Sequence, residues 1–396
     1  MKGSIIRYKA PVWPLFLLFF TSVDTVLFGT NGNRIFLFVP RIMAFLGIFL
    51  LPLYTSPSSL NRKSVFFLLL YCFIVTISVF YNNGDPLTLI SRLLFVCLAF
   101  QIVRCYNFKD FIAIYDKFLY IISITALVTF VISYVAPFLF SLFYMINNEN
   151  GITFSTFLIG SFDYTELNSQ LKRMNAIFWE PGAYAIYLCV GLIFRLFYFK
   201  KVDKKRCLIY TAALLVTFST TGIIGFSVIL FAYFISINKK GSKLQVLGGV
   251  LFTLFLFAAG LLDSIYSLFF SKITNMDPTT VVRISSFING FQIAFDNPIL
   301  GVGGRSSEFM PTYAENSGFG SNAMLTNTVV HQFANYGFIA GGILLYGTYL
   351  FFRKYSAGIA QGLLLFLSLI LLYVGEVFFS FFPYLFMFYG FKSKKY

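Results

Sequence analysis

The chain has 396 residues, of which 58% are hydrophobic and only 11% charged, with a mean hydropathy of +0.80 and a formal net charge of +15. Water-soluble domains carry about 25% charged residues, so this composition excludes a soluble globule and makes lipid the solvent for most of the chain. The basic surplus sits in short clusters between apolar runs, which excludes the continuous basic face of a nucleic-acid-binding domain.

In chain order the apolar runs predict helices at 12–30, 35–54, 64–81, 87–104, 112–136, 182–199, 206–221, 223–237, 244–263, 331–352, 358–376 and 378–391. Most are long enough to cross a hydrocarbon core about 30 Å thick. Lipid offers the backbone no hydrogen-bond partners, so the runs must be helices; the alternation of a membrane barrel is missing. The first run follows Met1 to Lys9 without a small-residue cleavage site and reads as a retained helix. Basic clusters on both sides of Cys207 to Ile237 require a break at Ser219-Thr220-Thr221-Gly222. Lys392, Lys394 and Lys395 require another near Glu376. The expectation is an all-α polytopic integral membrane protein with about 12 transmembrane helices, or 11 if one break is absent.

With the amino terminus in the cytoplasm, one set of connections holds most of the 30 basic residues. The opposite set holds only Arg34, Lys172, Arg173, Lys272, Arg283 and Arg305, the asymmetry of the positive-inside rule, which places both termini in the cytoplasm. Cys72, Cys97, Cys105, Cys189 and Cys207 show neither metal-ligand spacing nor a disulfide framework and read as small packing residues. Two long connections, 137–181 and 264–330, lie on the extracytoplasmic side of this topology, where function concentrates. In the second, Val281, Ile284, Ile288, Phe291 and Phe295 recur at steps of three and four, predicting an amphipathic helix at about 279–295 that stops at Asn297-Pro298.

His331, the sole histidine, stands where the second connection meets the next helix. Its plain reading is an interfacial polar residue. The stretch His331-Gln332, nine residues, then Gly342-Ile343, however, resembles the His-[Asn/Ser/Gln]-x9-Gly-[apolar] motif of bacterial O-antigen ligases and polymerases. Upstream, Arg283-Ile-Ser-Ser-Phe287 and Asn297-Pro298-Ile299-Leu300-Gly301-Val302-Gly303 resemble the segment that precedes that histidine in the same superfamily, with Phe287 where the ligase pattern has Leu. Arg173, followed by Phe178-Trp179-Glu180-Pro181-Gly182, is similar to a segment common in the polymerase (Wzy) members.

The resemblance implies a GT-C-like glycosyltransferase architecture in the bacterial inner (plasma) membrane. It implies transfer of a glycan from undecaprenyl diphosphate at the periplasmic face, with no metal and no cofactor. The implied partners are the undecaprenyl-diphosphate-linked oligosaccharide as donor and acceptor, membrane lipid, a chain-length regulator and a flippase, with no nucleic acid. A repeat-unit polymerase of O-antigen or capsular polysaccharide is the first expectation; the alternatives are an O-antigen ligase acting on lipid A-core and a lipid-linked oligosaccharide flippase or transporter.

Residue chemistry fits. Arginine offers permanent charge and a bidentate fork for phosphate oxygens, so Arg283, Arg305 and Arg173 are the candidate diphosphate ligands, against a plain reading as surface charges paired with Asp277, Asp296 or Glu308. His331 and Glu180 are the candidate catalytic residues; the plain reading of Glu180 is a helix N-cap ahead of Pro181. Ionisable residues inside the runs are costly in hydrocarbon. Arg195 and Lys117 are expected to snorkel to the cytoplasm, while Arg41 and Arg92 either reach the diphosphate or pair with Asp24.

Overall fold

The structure is a computed structural model that describes residues 10–22, 24–26, 35–55, 61–143, 145–147, 152–164, 172–237, 278–317, 325–378 and 380–392. It is mostly helical: α1 (Trp13–Phe20), α2 (Ile35–Tyr54), α3 (Arg62–Tyr81), α4 (Pro86–Cys105), α5 (Phe108–Val135), α6 (Pro181–Ile193), α7 (Lys204–Leu215), α8 (Thr220–Ile237), α9 (Pro278–Asp296), α10 (Ser306–Ser317), α11 (Thr328–Tyr355), α12 (Ile359–Val374) and α13 (Phe382–Phe391). Among the described residues, Arg62–Tyr81, Pro86–Cys105, Phe108–Val135 and Pro181–Tyr198 are long and apolar enough to cross a membrane, and several shorter helices are apolar too. Leu69, Phe73 and Phe80 of α3 and Val128, Val131 and Val135 of α5 lie exposed, a surface suited to lipid contact. The span read at 244–263 lies outside the described residues.

Two expectations are corrected. The run at 12–30 is not one helix: α1 stops at Phe20, where the Thr21 hydroxyl donates to Leu17 O at 2.9 Å. Beyond it Ser22 donates to the buried Asp24 carboxylate at 2.9 Å, and Thr25 forms an antiparallel bridge with Phe178. Short hydroxyl and carboxyl side chains there compete for backbone and bridging bonds, which ends the helix despite the apolar composition. Nor is the chain all-α. The first long connection folds into a three-stranded antiparallel meander of β1 (Met145–Asn147), β2 (Thr153–Phe157) and β3 (Gly160–Asp163), with Ser155 opposite both Met145 and Phe162. Alternation seats Ile146 and Phe154 inward, against Val26 and Trp179.

The chain divides into two compact units, Met1–Leu68, Leu94–Ser219 and Phe379–Tyr396 in the first and Leu69–Leu93 and Thr220–Phe378 in the second. The interior of the first is aromatic: Phe19 stacks on Phe118 with centroids 5.3 Å apart, and Tyr187 lies between Phe178 at 4.4 Å and Phe382 at 4.6 Å. Arg195, expected to snorkel, instead turns inward and meets Asp116 through Nε and Nη2. Arg206 joins the same carboxylate, and the Tyr210 hydroxyl donates to it at 2.8 Å, so one buried carboxylate binds α5, the end of α6 and α7. A buried carboxylate with that many donors is satisfied without solvent.

In the second unit α8 and α12 approach at Gly225, whose added Cβ would fall 2.5 Å from Leu372, and Ser368 Oγ donates to Gly225 O at 2.9 Å. Helices α9 and α11 meet where Gly290 abuts Val330 and Leu325. Ile293, Val302, Met310, Leu325, Val330 and Ala334 form the buried cluster of this unit around which α9, α10 and α11 gather.

Candidate functional site

The second unit is organised by a break in α11. Gly337 takes φ 80 and ψ 173 within that helix, a conformation that L side chains rarely adopt. The segment Asn297 to Gly304 docks across the break. Phe338 N donates to Pro298 O at 2.8 Å, Val302 N to Ala334 O at 2.9 Å and Gly303 N to Asn335 O at 2.8 Å. Gly301, Gly303 and Gly304 all have positive φ, and their small size lets the segment lie against the helix backbone. Ser78 and Asn82 of the α3 end complete the joint: Ser78 Oγ donates to Leu300 O and, at 3.1 Å, to Asn335 O, and Asn82 Nδ2 donates to Gly301 O at 3.1 Å. The sequence pattern Asn-Pro-x-x-Gly-Val-Gly is therefore a backbone lock, and its glycines are required by conformation.

Gly337→Ala tests that lock. Its Cβ would lie 2.1 Å from Ile299 O, whereas at Gly342, the motif glycine, nothing lies within 4 Å. Gly337→Ala is expected to cost several kcal/mol through strain and clash, and Gly342→Ala to be neutral or slightly stabilising in a helix. Monodisperse yield after detergent extraction should collapse for the first and hold for the second; equal yields would remove the lock from the account.

His331 occupies the first turn of α11. Asn327 caps the helix, its Oδ1 accepting from Val329 N at 2.9 Å and Val330 N at 3.1 Å. The cap is therefore Asn327 and not His331. The His331 amide donates to Asn327 O at 2.8 Å, its carbonyl accepts from Asn335 Nδ2 at 3.0 Å, and the residue as a whole is half-buried. The adjacent Gln332 is buried and accepts from the Tyr71 hydroxyl at 2.7 Å, so it positions the helix. Arg92 is buried, its guanidinium 5.5 Å from the Tyr336 ring centroid, and its charge acts on His331.

Arg283 projects from α9 toward Glu376, which stands where the sequence places a helix break. Its Nη2 lies 3.3 Å from Glu376 Oε1, with 34% of the arginine side chain exposed against 3% of the glutamate. The carbonyl of Glu376 in turn accepts from Thr328 N at 3.1 Å and Thr328 Oγ1 at 2.6 Å, three residues before His331. Arg283 is thereby tied to the first turn of the histidine helix. Arg305 reaches the same frame from the other side: its neighbour Ser306 donates N–H to Asn335 Oδ1 at 3.0 Å. Arg305 Nη1 donates to Asn82 O at 2.9 Å and Nε to Glu308 Oε2 at 2.9 Å; this hydrogen bond holds the Glu308 carboxyl below its usual range. That pair is exposed, where water competes with it.

Arg173 and Glu180 belong to the first unit. Arg173 is half-buried in an extended segment pinned by Met174 N to Val216 O at 3.0 Å and Asn175 N to Ser161 O at 3.3 Å. Glu180 stands at the N-cap position of α6 with extended backbone, yet its side chain makes no capping bond. Its carbonyl accepts from Tyr184 N at 3.3 Å, leaving the half-exposed carboxylate outside the helix's own hydrogen bonding. About two turns further along α6, Tyr187 donates to the buried Asp24 at 3.0 Å, a carboxylate near Arg41, which donates from Nε to Thr21 O at 2.9 Å.

Residues 207–346 fit the family model described as O-antigen ligase, a span that contains Arg283, the Asn297 to Gly304 segment, Arg305 and His331. No curated protein and no solved structure matches the chain.

Proposed function

We propose that this chain, whose residues 207–346 fit the family model described as O-antigen ligase, is a repeat-unit polymerase of the O-antigen polymerase/ligase superfamily, a glycosyltransferase-like enzyme acting on lipid-linked glycans. It moves the growing glycan from undecaprenyl diphosphate onto a second lipid-linked repeat unit, at the periplasmic face of an inner membrane that it spans with both termini in the cytoplasm. The observation that carries the proposal is that Arg283, through Glu376 and Thr328, and Arg305, through Ser306 and Asn335, are both tied to the stretch of α11 that bears His331.

In the transfer the acceptor sugar hydroxyl attacks the anomeric carbon of the donor glycan. The bond from that carbon to the diphosphate oxygen breaks, and its electron pair leaves with the diphosphate. Arg283 and Arg305 hold the negative charge that develops there, since fixed guanidinium groups stabilise it without reorganising solvent. The hydroxyl proton passes to His331, since Asn327 rather than the imidazole caps the helix.

The Arg173 to Gly182 segment supports polymerase over ligase, while the match to the O-antigen ligase family model favours ligase as the second reading. Deleting the gene separates them. Loss of the polymerase leaves a single repeat unit on the finished glycolipid; loss of a ligase leaves long glycan stranded on the lipid carrier. A normal ladder of chain lengths in the deletion strain would sink both.

A further inference from the structure

Glu376 has no role in the transfer as described, yet it is a buried carboxylate facing the arginine assigned to the leaving group. We propose that Glu376 is a resident counter-ion that competes with the carrier diphosphate for Arg283, so that the spent undecaprenyl diphosphate is let go after transfer; the inference rests on the assignment of Arg283 above.

Geometry distinguishes this from simple positioning. The contact is single-pronged and 3.3 Å long, longer than the roughly 2.7–2.9 Å of a strong charge-assisted bond. It engages Nη2 and leaves the Nη1 and Nε edge of the fork uncommitted to Glu376, on a side chain one third exposed. Such a contact fixes the rotamer weakly. The charge acts strongly: a carboxylate roughly 7 Å from one phosphate charge, at an effective dielectric near 20, opposes binding by about fiftyfold before screening, and a diphosphate carries more than one charge. The electrostatic effect therefore outweighs the orienting one, and removing the carboxylate should tighten the hold on diphosphate. An active site that must bind and then release the same diphosphate gains turnover from an internal anion that takes back the guanidinium.

Glu376→Gln isolates the charge. The glutamine keeps an oxygen opposite Nη2, and the backbone carbonyl that receives both Thr328 bonds is unchanged, so the frame around His331 survives. Binding of undecaprenyl diphosphate, without any sugar, is measured on the purified full-length protein in detergent. Glu376→Gln should bind about tenfold tighter than wild type after screening, with slower multiple turnover and an undiminished first turnover. Glu376→Asp, which retains the charge but withdraws it by one methylene, should shift affinity in the same direction by less. Unchanged or weaker binding in Glu376→Gln overturns the counter-ion role. If Arg283→Ala weakens binding while Glu376→Gln does not, this inference alone fails; if Arg283→Ala binds like wild type, the assignment of Arg283 fails and takes this inference with it.

Discussion

His331→Ala, compared at matched protein level, should make one hundredth of the wild-type polymer or less, with lipid-linked repeat units accumulating, because a positioned general base contributes about 10²–10⁴-fold. The substitution spares the fold. Asn327 caps α11 without help from the imidazole, and the bonds of residue 331 to Asn327 O and from Asn335 Nδ2 are made by its backbone. Alanine is also the better helix former, so the helix start is not weakened. A base role adds a second signature, since the acid limb of the pH–rate profile disappears along with the rate, whereas a histidine that only orients the acceptor or touches a phosphate lowers the rate and leaves the limb. Wild-type chain lengths from the alanine variant would return His331 to an interfacial polar residue.

Arg283→Ala should likewise abolish polymerisation, by about 10²–10³-fold, the range lost when one preorganised charge-stabilising donor is removed. Arg283→Lys should restore only part of that, because an ammonium is a point charge without the fork that matches two phosphate oxygens. The lysine variant is also the control for folding. Alanine withdraws the cationic partner of a buried carboxylate, which is destabilising in itself, while lysine leaves Glu376 a nearby positive charge. Activity loss shared by both variants therefore reports on phosphate recognition. Normal-length polymer from a stably expressed alanine variant would remove Arg283 from the chemistry.

Much of the second unit was legible in the sequence because its motif residues are dictated by local backbone demands. Asn297-Pro298 ends α9, and Gly301, Gly303 and Gly304 serve positive φ, so residue type alone marked the place. Gly337 was not singled out, although it has the conformation that breaks α11; the motif glycine, Gly342, has open space around it. The partner of Arg283 was hidden for a different reason: Glu376 lies 93 positions away, and sequence separation carries no trace of a pairing. The inward turn of Arg195 was hidden on the same account, since its partner Asp116 lies 79 positions away. The meander from Met145 to Asp163 escaped because its strands are three to five residues long, too short for alternation to stand out within an apolar chain.

The joint at the α11 break also bears on the order in which the protein can be made. A helix interrupted at Gly337 exposes carbonyls that an apolar surrounding cannot satisfy, and each one left open is expensive there. The groups that close them, Val302 N, Gly303 N and the Ser78 hydroxyl, all stand earlier in the chain than Ala334 and Asn335. They leave the ribosome before the broken helix does. As synthesis proceeds from the amino terminus, the receiving surface is complete when the interrupted segment emerges, and the break never has to wait in lipid for a partner still to be translated.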